Sequence, residues 1–311
     1  MTTSTQLANP QSHQKSQLAK PKLLEIAPGS GDLLVSLAPE CDFIYTIDPS
    51  LVSLEVQNIR HHKHIQAFFD EKIATQIDHD IDLIVFRHLL EHIENAGEFL
   101  RAVVQIAAPQ ALIYIEVPNT PEFLGTLRFY ELFNDHCGYH QKGVLCDFMA
   151  KLSCECVGEI LLYNEQHLGL FFVKNAKFLA SARKKFTQKS EVIFYDERLG
   201  KALNDKACEL NTLLKSYSKV ALYGAGAHGN TIITYLDSAN LDKIALCFDL
   251  DTRKQGRFLQ GSKIIIKKPC KAEFTGLECI LISSPLYEKE ICEFLRKEGF
   301  MDNIITSEGI L

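Results

Sequence analysis

The chain has 311 residues, 46% hydrophobic and 23% charged, which suits about two ordinary domains with cores that need no staples. Its net charge of −6 argues against a nucleic-acid backbone as partner, because such a partner selects a basic face. No apolar run is long enough to cross a membrane, and ten scattered cysteines without a C-x-x-C pair argue against a zinc ribbon.

Residues 1–20 are polar and rich in Gln and Ser, and are expected to form a disordered tail. They lack the apolar centre of a signal peptide, so a cytoplasmic location with free thiols is expected. LLEIA (23–27) reads as a strand that runs into a turn at Gly29 and Gly31, after which DLLVSLA starts a helix. FIYTI (43–47) is a strand ending at Asp48, and DLIVF (82–86) is another, followed by Arg87 and His88. Ala96, Phe99, Leu100, Val103, Val104 and Ala107 share one helical face, with Asn95 as cap and Glu98 three residues on. ALIYIEV (111–117) is the next strand, closed by Pro118. Residues 155–175 read as strands, notably HLGLFFV (167–173), and a basic, Ser/Thr-bearing segment covers 176–190.

Leu199, Leu203, Leu210 and Leu214 predict a long helix near 196–216, packing between domains or joining two copies, so monomer and homodimer both stay open. A second strand–helix alternation starts at KVALY (219–223). It continues with a helix over 229–236, strands KIALCF (243–248) and ECILIS (278–283), and a helix over 287–299. Alternation of this kind predicts an α/β fold with two doubly wound, Rossmann-like domains. The expected boundaries are 21–177 and 217–311, joined by a linker and the long helix over 178–216.

Each domain opens with a glycine-rich turn. In the first, Glu25 closes a strand, and Gly29 and Gly31 let a backbone approach a ligand closely. Asp48 lies seventeen residues beyond Gly31, at the end of the next strand, where a carboxylate can accept from both ribose hydroxyls of an adenosine. With no G-x-G-x-x-G and no phosphate-binding lysine, the turn suits a ribose-bearing ligand without a pyrophosphate, such as S-adenosylmethionine. A tight strand–helix turn with an incidental Asp is the other reading. Gly224, Gly226 and Gly229 in the second turn do fit G-x-G-x-x-G, and Asp249 follows 25 residues after Gly224, so an NAD-dependent oxidoreductase also stays open.

The first half resembles the class I S-adenosylmethionine-dependent methyltransferases, whose usual first motif is (D/E)-x-G-x-G-x-G. EIAPGSG carries Ala27 where the first glycine stands. IDPS, DLIVFRHLLEHI and IYIEVPN match the ends of the family's later strands. The resemblance implies S-adenosylmethionine as cofactor, held by Glu25, Ala27, Gly29, Gly31 and Asp48, with Arg87 and His88 lining its methionine end.

Asp135, His136, Tyr139 and His140 crowd around Gly138, in NDHCGYH. Either a hydrogen-bonded surface loop or a catalytic loop can look like this. The segment resembles the E-H-x-S-Y-F motif of the sugar C-methyltransferases, which methylate carbon on a nucleotide-linked keto-sugar. The resemblance implies His136 as general base, Asp135 as its orienting partner and Tyr139 as hydrogen-bond donor to the enolate. His140 and Gln166 would touch the substrate. The family's G-G-S-x-R segment is missing around 164–173, which leaves O- or N-methylation of a small molecule as an alternative.

VALYGAGAHGNTIITYL (220–236) and CFDLDTRKQGRFLQGSKIII (247–266) resemble the C-terminal domain of the same enzymes, with His228 in place of a lysine. Gly224, Gly226, His228 and Asn230 would then hold a nucleotide-sugar diphosphate, or the turn would serve packing alone. Many sugar C-methyltransferases also begin with a zinc domain built on C-x-x-C pairs, for which residues 1–20 offer no counterpart. The sequence thus predicts a methyltransferase acting on a nucleotide-linked sugar, with no resident metal. A nucleotide-sugar-binding protein without turnover is a further alternative.

Overall fold

The computed structural model describes residues 19–52, 54–78, 80–175, 193–306 and 309–310. Most of the expected polar tail and the basic segment at 176–190 lie outside the described residues.

The first sheet has seven strands in the order β3-β2-β1-β4-β5-β7-β6. They are β1 Lys22–Ile26, β2 Phe43–Ile47, β3 His62–Ile65, β4 Ile81–Arg87, β5 Ala107–Pro118, β6 Cys154–Leu162 and β7 His167–Lys174. β1 to β5 pair in parallel, while β7 runs antiparallel to both β5 and β6. Parallel strands covered on both faces read as continuous apolar runs. In β1, Leu24 and Ile26 join the core under the helix Ala96–Ile106, and Leu23 joins the core under the helix Asp32–Leu37. Asn95 caps the helix Ala96–Ile106, its Oδ1 accepting from the Glu98 N–H at 3.2 Å.

The second sheet has six strands in the order β10-β9-β8-β11-β12-β13. They are β8 Val220–Tyr223, β9 Ile244–Phe248, β10 Ile266–Lys267, β11 Cys279–Ile282, β12 Asn303–Thr306 and β13 Gly309–Ile310. Only the β12–β13 pair is antiparallel. The expected helix over 229–236 starts earlier, at Ala227, directly after the turn. The long helix is Glu197–Leu214. Its Leu203, Ala207 and Leu214 share one core with Phe123, Phe129 and Tyr130 from the first half and with β8 and β11 of the second sheet. The strand order reverses between β1 and β4 in one sheet and between β8 and β11 in the other, and ligands of open α/β sheets bind outside the carboxyl ends at such points.

Candidate active site

The first glycine turn sits at the reversal point of the first sheet. Glu25 comes from β1 and Arg87 from the end of the adjacent β4, with Arg87 Nη2 3.6 Å from Glu25 Oε1. Glu25 is 2% exposed, and burial raises its pKa to about 7, although Arg87 works against the rise. Among the described residues, Glu25 Oε2 and Arg87 Nε are buried without hydrogen-bond partners. Such atoms are costly unless water or a ligand meets them.

Gly29 adopts φ +57° and no atom lies within 4 Å of where a Cβ would stand, so the turn is open there. Ala27 holds the same left-handed conformation, φ 54°, without being glycine. Gly31, at φ +84°, precedes the helix Asp32–Leu37. Asp48 lies just past β2, partly exposed, with one oxygen accepting from the Ser50 N–H at 2.7 Å. An open glycine turn, a carboxylate at the end of β2 and unmet polar atoms on Glu25 and Arg87 fit S-adenosylmethionine.

A cavity of about 200 Å3 lies where the ends of β4, β5 and β7 meet the loop 133–140 and the second glycine turn. His88 enters it directly after Arg87, in a left-handed conformation (φ 47°) that is uncommon outside glycine. Its backbone N–H donates to the Glu116 carbonyl at 2.9 Å, and its Nε2 lies 3.0 Å from Glu116 Oε1. Its Nδ1 lies 3.5 Å from Glu91 Oε1. Burial pushes the His88 imidazole down, but the bonds to Glu116 and Glu91 outweigh it and raise its pKa to about 9.

Glu116 belongs to β5 and His167 to β7. The antiparallel register sets Pro118 opposite His167 and Glu116 opposite Gly169. His167 Nδ1 comes within 3.7 Å of Glu116 Oε1, and the His88 and His167 rings are 4.3 Å apart. The Tyr114 hydroxyl donates to Glu116 Oε2 at 2.7 Å. Burial pushes Glu116 up, yet His167, His88 and Tyr114 together hold its carboxyl well below the usual range.

His136 lines the same cavity. Its ring packs edge-on against His92 at 4.7 Å and Phe133 at 4.8 Å, and Tyr139 lies at 5.6 Å. Its Nδ1 is buried and has no hydrogen-bond partner among the described residues. Burial lowers its pKa from the ordinary histidine value, so the ring is neutral at pH 7 with a lone pair to offer. Asp135 does not hydrogen-bond His136. It is 67% exposed and its Oδ2 lies 3.5 Å from His92 Nδ1. The buried carboxylate grouped with His92 and His136 is Glu91. Tyr139 keeps its proton, with burial raising it to about 12. His140 turns inward and its Nε2 lies 3.2 Å from the Leu90 carbonyl, so it props the loop.

Gln166 lines this cavity and a larger neighbouring one of about 520 Å3 that reaches the second sheet, and Arg128 is the other residue common to both. In the second glycine turn, a Cβ at Gly229 would stand 2.2 Å from the Gly224 carbonyl, and one at Gly224 would stand 2.6 Å from Ser283 Oγ. Both positions therefore require glycine for packing, whereas Gly226 is open. Asp249 spends its carboxylate on its own turn, accepting from the Ala225 N–H at 2.9 Å and pairing with Lys254 at 3.0 Å. A ribose would have to compete with both. His228 points back to the first half, 3.1 Å from Glu131, and Asn230 reaches Gln260 at 3.4 Å.

Glu91, His92, Glu116 and His167 join the site without a sequence motif that marks them. The available signal was a glutamate inside the apolar run IYIEV, since a charge buried in a strand needs partners.

Two family models match the chain, a methyltransferase domain over residues 7–158 and a C-methyltransferase C-terminal domain over 176–301. The chain is similar to the C-methyltransferase NovU of Streptomyces niveus, with 25% identity over 275 residues. That alignment covers 83% of this chain and 64% of the relative, so the chain spans under two thirds of the relative's length. Among solved structures it overlays on magnesium protoporphyrin IX methyltransferase from Synechocystis, at 14% identity and a TM-score of 0.39, covering 51% of this chain and 76% of that one. It also overlays on the N-methyltransferase NodS of Bradyrhizobium japonicum, at 17% identity and a TM-score of 0.38, covering 50% and 79%. With a methyltransferase-domain model on the first half, a C-methyltransferase C-terminal-domain model on the second and the open turn of Glu25, Gly29 and Asp48 at the reversal point of its first sheet, this chain belongs to the class I S-adenosylmethionine-dependent methyltransferases and carries the C-terminal domain of the C-methyltransferases.

Proposed function

We propose that the protein transfers a methyl group to the carbon beside a ketone on a nucleotide-linked sugar. The observation that carries this reading is the setting of His136, a neutral imidazole with an unpartnered Nδ1. It shares a cavity with His88, which follows directly on the Arg87 paired with Glu25. Glu25, Ala27, Gly29, Gly31, Asp48 and Arg87 hold the donor, which supplies an electrophilic methyl group on a sulfonium. His136 Nδ1 accepts the proton from the acceptor carbon. Tyr139, protonated throughout the neutral range, donates a hydrogen bond to the developing enolate oxygen. The cavity of about 200 Å3 holds the sugar ring, and the adjoining space of about 520 Å3 is large enough for a nucleoside, with Gln166 between them. The likeness to NovU, named a C-methyltransferase, supports carbon as the methylated atom. On this reading, residues 21–177 form the donor domain and 217–311 the wall that closes over the acceptor.

The test combines calorimetry with isotope exchange. Wild type should bind S-adenosylmethionine and exchange deuterium into the carbon beside the ketone of a dTDP- or UDP-keto-sugar. The His136→Ala variant should bind the donor equally and lose exchange and turnover by about 100-fold or more. Full exchange in that variant would remove His136 as the base.

A further inference from the structure

We propose that His88, Glu116 and His167 bind one divalent first-row transition-metal ion of the Zn2+ type, with an open coordination position toward the acceptor cavity. Three donor atoms from three strand ends converge there, all within 4.8 Å of one another. Ligands about 2.0–2.1 Å from a tetrahedral ion stand roughly 3.3 Å apart. The separations from Glu116 Oε1 to His88 Nε2 and His167 Nδ1, 3.0 and 3.7 Å, bracket that spacing.

A shell of supporting contacts surrounds the three. Histidine ligands generally donate their second ring N–H to a carboxylate, and carboxylate ligands are themselves hydrogen-bonded. Here His88 Nδ1 faces buried Glu91, and Tyr114 donates to the second oxygen of Glu116. Gly169 makes room for that tyrosine, since a Cβ at this position would stand 2.4 Å from its hydroxyl.

Two further observations point to a cation. His167 Nδ1 and Glu91 Oε2 are buried and lack hydrogen-bond partners among the described residues. The cavity also carries Glu91, Glu131 and Asp135, while its Arg128 is committed to Glu122 and Glu131. A metal ion would replace the proton on His88 and leave His88, Glu116 and His167 as three ligands with one position free, the pattern of catalytic rather than structural sites.

The role assigned to the ion rests on the methyltransferase reading above. It would draw electron density from the acceptor carbonyl oxygen while His136 takes the neighbouring proton, so that the charge developing on that oxygen is met by the ion. No atom is oxidised or reduced.

The full chain is stripped with chelator, dialysed, and titrated with Zn2+ alone and with Co2+ alone, with elemental analysis of the product. One tightly bound equivalent and the visible ligand-field bands of a four- or five-coordinate Co2+ are expected. His167→Ala and Glu116→Gln should each weaken that equivalent by more than about 100-fold, and Tyr114→Phe by about 10- to 100-fold. Circular dichroism and S-adenosylmethionine binding, measured on every variant, separate loss of the ion from loss of the fold or of the donor site. The proposal is overturned if wild type and His167→Ala bind Zn2+ alike, which would place the ion on surface histidines such as His61. It is also overturned if chelated wild type, shown to be metal-free, keeps full turnover.

Discussion

His228, from the second glycine turn, lies 3.1 Å from Glu131, which stands in the short helical turn after Arg128 in the first half of the chain. The contact ties the two sheets together at the rim of the acceptor cavity. Burial pushes Glu131 up, but His228 and Arg128 outweigh it and keep the carboxylate charged.

Removing His228 leaves that buried charge one partner short. His228→Ala should lower stability at pH 7 by about 1–3 kcal/mol, read from urea denaturation. His228→Lys, which offers Glu131 a hydrogen-bond donor from the same position, should recover most of the loss. Equal losses in both variants would show that the imidazole contributes by packing and not by its contact with Glu131.

Ala27 sits at φ 54°, a conformation that costs a residue with a Cβ about 1–2 kcal/mol. Glycine removes that strain but raises unfolded-chain entropy by about 0.4–1 kcal/mol. Ala27→Gly should therefore stabilise the protein by roughly 0.5–1 kcal/mol, with S-adenosylmethionine affinity unchanged in calorimetry. A destabilised variant would mean that the alanine methyl makes packing contacts worth more than the strain.

Much of the frame could be read from the sequence, because parallel strands buried on both faces are written as unbroken apolar runs. β1, β4 and β8 are of this kind, and β1 and β8 each end in a turn whose glycines are visible. β3, with the polar sequence HKHI, is an edge strand with no such signature, and β5 starts at Ala107, before its apolar run, with its register against β4 shifted across the stretch that holds Pro109. The loop histidines and the first glycine turn were visible as local clusters. The grouping of His88, Glu116 and His167 was not, since it exists only through the antiparallel register of β5 and β7 and a left-handed residue after β4. Nor could sequence show that Asp135 would face His92 and leave His136 to a cavity shared with buried Glu91.

Glu25 makes stability depend on pH in a defined direction. Its folded pKa of about 7 lies above the unfolded value of 4.5. The folded chain therefore keeps a proton that the unfolded chain gives up between those values. The associated stability is present below pH 4.5, falls as pH rises through the window, and is gone above pH 7. The 2.5-unit difference corresponds to about 3 kcal/mol. Glu25→Gln stays neutral, so it should gain on wild type as pH rises from 4.5 to 8. Urea midpoints at those two pH values measure the gain, and a constant difference would contradict it.

Gly169 and Tyr114 should behave as a coupled pair. The added methyl of Gly169→Ala would meet the Tyr114 hydroxyl at 2.4 Å and Ile160 Cγ2 at 2.7 Å. Overpacking of that kind costs about 1–3 kcal/mol, and moving Tyr114 also withdraws its hydrogen bond from Glu116. Tyr114→Phe removes the nearest clashing atom, so Gly169→Ala should cost less in that background. A double-mutant cycle measures the coupling, and strict additivity would mean that the methyl is accommodated elsewhere.

The pH dependence of turnover should identify the base and its partner together. His136 must be neutral to accept a proton, and burial lowers its pKa below the ordinary value of 6.5. Protonation switches it off, so kcat/KM should fall on the acid side of pH 6.5, and this acid limb should be absent from the residual activity of His136→Ala. Asp135 is 67% exposed and faces His92, so solvent already meets its charge, and Asp135→Asn should cost less than about tenfold. Glu91 is 2% exposed and grouped with His92 and His136. Its loss removes a buried charge that favours the imidazolium formed on proton transfer, so Glu91→Gln should cost about 100-fold in kcat, with little change in donor affinity. A large loss in Asp135→Asn beside a mild one in Glu91→Gln would reverse the assignment. It would return the orienting role to the carboxylate that neighbours His136 in sequence, and would require the loop 133–140 to rearrange when the acceptor binds.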